Sequence, residues 1–140
     1  MMLAIRISGM PEVDHDVEEA LFRLRLRRKY SAVLLKETPE NIKLLAKVRN
    51  FIAYGTISKE TLSDILVKRG VLNNKKINKT EVDRIAEQLE HKKPEEIGVK
   101  PFFRLHPPRG GIESKKHFGV GKGVLGDHKD KIKELVRRML

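Results

Sequence analysis

Within its first 57 residues the chain switches hydrophobic period four times, and that succession restricts the possible folds more than any other feature. Leu3, Ile5 and Ile7 alternate with Ala4, Arg6 and Ser8, the period-two pattern of a strand, which Gly9-Met10-Pro11 ends. Val13, Val17, Ala20, Leu21 and Leu24 then fall at helical spacing. Asp14, Asp16, Glu18 and Glu19 stand early in that helix and Arg23 and Arg25 late, an order that complements the helix dipole. Tyr30 to Lys36 is β-branched and apolar enough for a second, well-buried strand. Thr38-Pro39-Glu40 opens a second helix, with Thr as N-cap and Pro at the first helical position, and Ile42, Leu45, Ala46 and Val48 form its apolar stripe. Phe51 to Tyr54 reads as a third strand, closed by Gly55. Residues 1–57 therefore read β-α-β-α-β, with helices long enough to be crossovers and both expected on one face of a small sheet. The other face needs a cover: the rest of the chain, a partner subunit or a nucleic acid.

The remainder is less regular. Ser58 can cap a helix carrying Leu62, Ile65 and Leu66, with Gly70 as a left-handed terminator. Val82, Ile85, Ala86 and Leu89 mark another helix, and Phe102 to His106 a short strand ended by Pro107-Pro108. From Arg109 to Gly126 the glycines at 110, 111, 119, 121, 123 and 126 stand among basic residues, a stretch expected to build no core. Asp127 is the expected cap of a last helix whose face is Ile132, Leu135, Val136 and Met139.

Charge narrows the function. The 140 residues hold 30 Lys+Arg against 19 Asp+Glu, a net +11, which favours a polyanionic partner, nucleic acid before an acidic membrane surface. More than half of that excess lies in residues 101–140, which carry 10 basic and 4 acidic side chains. A second focus is Arg23, Arg25, Arg27, Arg28 and Lys29, with no acid among them; Arg23 and Arg27 would share a helix face if the helix reached that far. Arginine forks suit phosphate oxygens. Between Phe103 and Lys122, Arg104, His106, Arg109, Lys115, Lys116, His117 and Lys122 alternate with aromatic, Pro and Gly residues, where backbone can approach a phosphate chain and Phe118 or His117 could stack on an unpaired base.

Other chemistries find little support. With no cysteine there is neither a disulfide nor a thiolate site. Gly121-Lys122-Gly123-Val124-Leu125-Gly126 matches GxGxxG but follows Ser114-Lys115-Lys116-His117 rather than a buried strand, and no further strand is expected to complete a dinucleotide fold. His106, His117 and His128 recur every eleven residues, yet Pro and Gly between them forbid the helix that would align them on a metal. No cofactor, metal site, small-molecule substrate or catalytic group is expected. The first residues lack a basic segment leading into an apolar one, so the cytoplasm is the expected compartment, with no membrane partner.

Four strings carry a family resemblance. Leu24-Arg25-Leu26-Arg27-Arg28-Lys29-Tyr30 and Lys36-Glu37-Thr38-Pro39-Glu40-Asn41 resemble the ribosomal protein thirty family of the large subunit. Phe103-Arg104-Leu105-His106-Pro107-Pro108-Arg109-Gly110-Gly111 and the ending Leu135-Val136-Arg137-Arg138-Met139-Leu140 are similar to its longer archaeal form. The resemblance implies an α+β fold with a ferredoxin-like split β-α-β core over residues 1–57. Residues 58–140 would then be a helical, basic extension, with a Gly/Pro-rich RNA-contacting segment at 102–126 and a C-terminal helix. It also implies a non-enzymatic structural constituent of the large ribosomal subunit that binds large-subunit rRNA, with 5S rRNA and neighbouring ribosomal proteins as further expected contacts. By resemblance, RNA contact falls on Arg25, Arg27, Arg28, Lys29, Arg104, His106 and Arg109; for Arg23, Lys115, Lys116, His117 and Lys122 it rests on charge alone. The alternative is a free nucleic-acid-binding regulatory module, for which the helix at residues 59–69 offers a poor reading face.

Overall fold

A computed structural model of the chain describes residues 2–7, 15–49, 51–72, 75–77, 79–91, 94–99, 102–106, 114–117, 123–128 and 131–140. Strand β1 (Met2–Arg6), helix α1 (His15–Arg23), β2 (Ser31–Leu35), α2 (Pro39–Lys47) and β3 (Ile52–Thr56) follow the order read from the sequence. Then come α3 (Lys59–Arg69), a small hairpin of β4 (Val71–Leu72) and β5 (Lys75–Lys76), α4 (Val82–His91) and a 3-10 turn at Pro94–Ile97. The chain ends with β6 (Phe102–Arg104), β7 (Ser114–His117), β8 (Gly123–Asp127) and α5 (Ile132–Met139).

Six strands form one sheet in the order β6-β2-β1-β3-β8-β7. β1 is antiparallel to both β2 and β3, so these two run parallel with β1 between them. Helix α2 is the crossover joining them, a split β-α-β unit of the ferredoxin-like kind. Its start obeys the expected chemistry: the Thr38 hydroxyl accepts from the Asn41 N–H at 3.3 Å, and Pro39 follows.

The sheet is covered on both sides. Toward α1 and α2 it presents Met2, Ala4, Val33, Ile52 and Tyr54, which pack with Ala20, Leu21, Leu24, Leu45 and Val48. Toward the second half it presents Leu3, Ile5, Ala32, Leu34 and Ala53, met by Leu62, Ile65 and Leu66 of α3, Ile85 and Leu89 of α4, and Ile132, Val136 and Met139 of α5. The face left open by the sequence reading is thus closed by the chain itself. Period-two alternation in β1 consequently separates two apolar layers rather than core from solvent, and even Arg6 has no exposed surface.

Four local expectations are corrected. The glycine-rich stretch does reach the core: β8 pairs in parallel with β3, and Leu125 joins the buried cluster. Asp127 closes β8 instead of capping a helix; α5 begins at Ile132 with Lys131 at its cap and no side-chain capping bond. Gly70 is not left-handed (φ −73°, ψ 145°); it is needed because a Cβ there would lie 2.5 Å from Ile77 Cδ1 and 2.6 Å from the Leu66 carbonyl oxygen. Helix α1 stops at Arg23, so Arg23 and Arg27 share no helix face.

Candidate nucleic-acid interface

The first basic cluster is shaped by how α1 ends. The Leu26 N–H donates to the Leu21 carbonyl at 2.9 Å and the Arg25 N–H to the Phe22 carbonyl at 3.0 Å, the paired bonds of a Schellman ending. Such an ending needs a left-handed residue, a place usually taken by glycine, and here it is Arg25 with φ 62°. Leu26 and Leu21 are both buried, giving the ending its apolar clasp. Tyr30, at the loop's far end, is also left-handed with φ 66°. Two non-glycine residues in this region within six positions store strain of the kind found where a loop is held for function.

Arg6 ties both ends of the loop. Its guanidinium donates to the Leu26 carbonyl at 2.8 Å, and its own carbonyl accepts from the Tyr30 N–H at 2.7 Å. Burial pushes the Arg6 pKa down, opposed by the nearby negative charge of Glu18. The backbone then continues into β2, where Ser31 lies opposite Arg104 of β6. That pairing carries Arg104, 73 positions after Ser31 in the sequence, to the loop.

Between them lies a groove of about 510 Å³ lined by Phe22, Arg23, Arg25, Arg27, Arg28, Ser31, Phe102 and Arg104. Among the described residues, five of the eight that line it are arginines and none is acidic. At the rim Arg23 pairs with Glu19 at 3.0 Å; both side chains are exposed, so solvent screens the pair and the fork can be shared. The Arg27 guanidinium sits 5.9 Å from the centre of the Phe22 ring, and the Lys29 ammonium 5.2 Å from that of Tyr30. Phe22 is 42% exposed, so part of its ring is open to the groove.

The structure therefore brings together Arg23, Arg25, Arg27, Arg28 and Arg104 and keeps Lys29 beside them on Tyr30. His106 is exposed but outside the groove, its N–H donating to the Met139 carbonyl at 2.9 Å. Lys115, Lys116 and His117 belong to β7, the opposite edge of the sheet from β6, five strand spacings or roughly 24 Å away. Arg109, Phe118 and Lys122 lie outside the described residues. Phe22, Phe102, Ser31 and Arg6 are not singled out by the sequence. Phe22 does carry a signal, since it stands off the apolar stripe of α1. Phe102 and Arg6 carry none, because their places depend on the pairing of β6 and on how α1 and the loop after it close over β1.

Chemically, the groove can hold phosphate oxygens in arginine forks against a floor of aromatic rings. Among the described residues no group of three or more His, Asp or Glu side chains is placed to hold a metal, and no helix is long and apolar enough to cross a membrane.

A ferredoxin-like α+β protein with an arginine-lined groove at one sheet edge is the class that fold and site define. Comparison with known proteins narrows it. No family model matches the chain. The large ribosomal subunit protein uL30 of Methanobrevibacter smithii is 34% identical, with all of both chains covered. Those of Pyrobaculum islandicum and Aeropyrum pernix are 36% and 35% identical, covering 97% of this chain and 92% and 96% of their own. The chain belongs to the uL30 family of large ribosomal subunit proteins.

Proposed function

We propose that this chain is a structural constituent of the large ribosomal subunit that holds large-subunit rRNA at the groove between the end of α1 and β6. Full-length similarity to archaeal uL30 proteins supports the subunit, and the meeting of five arginines in one concavity supports the groove. Arg23, Arg25, Arg27, Arg28 and Arg104 neutralise phosphates and release their counterions, with Lys29 and His106 at the margins. Arg6 and the two left-handed residues fix the loop beforehand, so little ordering is needed on binding. Lys115, Lys116 and His117 of β7 form a second contact region, so that one small protein touches RNA from both edges of its sheet, and Arg109 and Lys122 contribute further contacts. Contacts to 5S rRNA and to neighbouring ribosomal proteins, and a role in subunit assembly, belong to the same reading. Recognition is by RNA shape, because the deep groove of A-form RNA gives side chains little sequence to read.

The test is sucrose-gradient fractionation of lysate in moderate salt. Co-sedimentation with the large subunit at about one copy, surviving a salt wash, is the expected result. A chain found only at the top of the gradient would overturn the proposal and favour the free regulatory module.

A further inference from the structure

Resting on the proposed rRNA contact, we infer that the groove seats a single unstacked nucleotide of the RNA, its base lying against Phe22 and Phe102 and its phosphates in the arginine forks. Charge alone would be served by a flat or convex basic surface, which is what a duplex backbone meets. Here the arginines instead rim a concavity of about 510 Å³, a volume typical of pockets that take one small ligand and far too small to admit a duplex. Its two aromatic rings also have no purpose in phosphate binding. Phe22 is 42% exposed although α1 could have turned a polar residue outward there, and one ring face already has a flat cation, Arg27, at 5.9 Å. A base offers the same planar, polarisable contact, and guanidinium planes stack on bases as they do on rings. Phe102 is half-buried, packed against the α1–α2 core, so it forms the fixed wall and Phe22 the accessible one. Stacking accepts any base, so the groove would select an unpaired position rather than a sequence.

The experiment uses the full chain and large-subunit rRNA transcribed with sparse 4-thiouridine, irradiated in the complex, with crosslinked peptide and nucleotide mapped by mass spectrometry. Crosslinks from an unpaired nucleotide to Phe22 or Phe102 are expected. In parallel, Phe22→Leu should weaken rRNA binding about tenfold with the salt dependence unchanged, whereas Arg27→Gln should weaken it and flatten that dependence. Bound rRNA that crosslinks to the groove only through paired nucleotides, or a Phe22→Leu affinity equal to wild type, would overturn the nucleotide seat while leaving the rRNA reading standing. Absence of salt-sensitive binding by the wild-type chain would instead remove the rRNA reading, and the seat with it.

Discussion

Arg6 carries a charge where charge is costly, and the geometry around it shows what the charge does. Both ends of the basic loop hang from this one residue, through its side chain at Leu26 and its carbonyl at Tyr30. Replacing it by Met leaves the Leu26 carbonyl without that donor, and a loss of about 1–3 kcal/mol in urea unfolding is expected, with weaker RNA binding. The pH dependence follows from sign. A base whose folded pKa is lowered contributes a constant amount below that pKa and gains only as pH climbs above it. The stability difference between wild type and Arg6→Met should therefore be flat from about pH 6 to 9; a slope across that window would contradict a charged Arg6. Arg25 makes the opposite trade. Arg25→Gly relieves a left-handed backbone and should stabilise the fold by roughly 0.5–1 kcal/mol while weakening RNA binding. Equal or reduced stability in thermal unfolding would show that the loop is not strained there. Neither role was legible in the sequence, where Arg6 looks like the solvent side of a strand and Arg25 like one more cation.

At the scale of elements, start and stop chemistry was readable where it acts within a few residues. Thr38 and Ser58 cap their helices as expected, Ser58 accepting from the Thr61 N–H at 3.4 Å. Thr38→Ala should cost about 1 kcal/mol, which chemical denaturation would register. Gly70 ends α3 as its sequence position predicts, but for a different physical reason. Its backbone is ordinary, and its constraint comes from the Leu66 carbonyl one turn back and from Ile77, seven residues on across the β4–β5 hairpin. Because the Leu66 carbonyl is backbone and cannot swing aside, Gly70→Ala should cost about 1–3 kcal/mol. A variant as stable as wild type would mean that α3 and the hairpin shift apart freely. Strand β8 was missed for a related reason: its glycines hide the period-two pattern, and only the parallel partner β3 makes the segment a strand.

Over the whole molecule, the sheet decides which charges act together. Sequence proximity grouped Arg104 with Lys115, Lys116 and His117, but β6 and β7 are opposite edges, and Arg104 belongs with the cluster that follows α1. The two foci of positive charge were legible from composition; their redistribution was not, because strand order depends on contacts across the full chain. The half-buried aromatic wall was equally hidden, since Phe102 and Phe103 are alike in sequence and differ only in which face of β6 they take. The groove as an RNA contact is tested most directly by the affinity of the purified chain for large-subunit rRNA across a potassium chloride series. Wild type is compared with a variant carrying Arg27→Gln, Arg28→Gln and Arg104→Gln. The expected result is weaker binding, with a log–log salt slope shallower by about 2–3, close to one unit per lost phosphate contact. An unchanged slope in a variant that folds as wild type does would contradict a phosphate-binding groove at this edge.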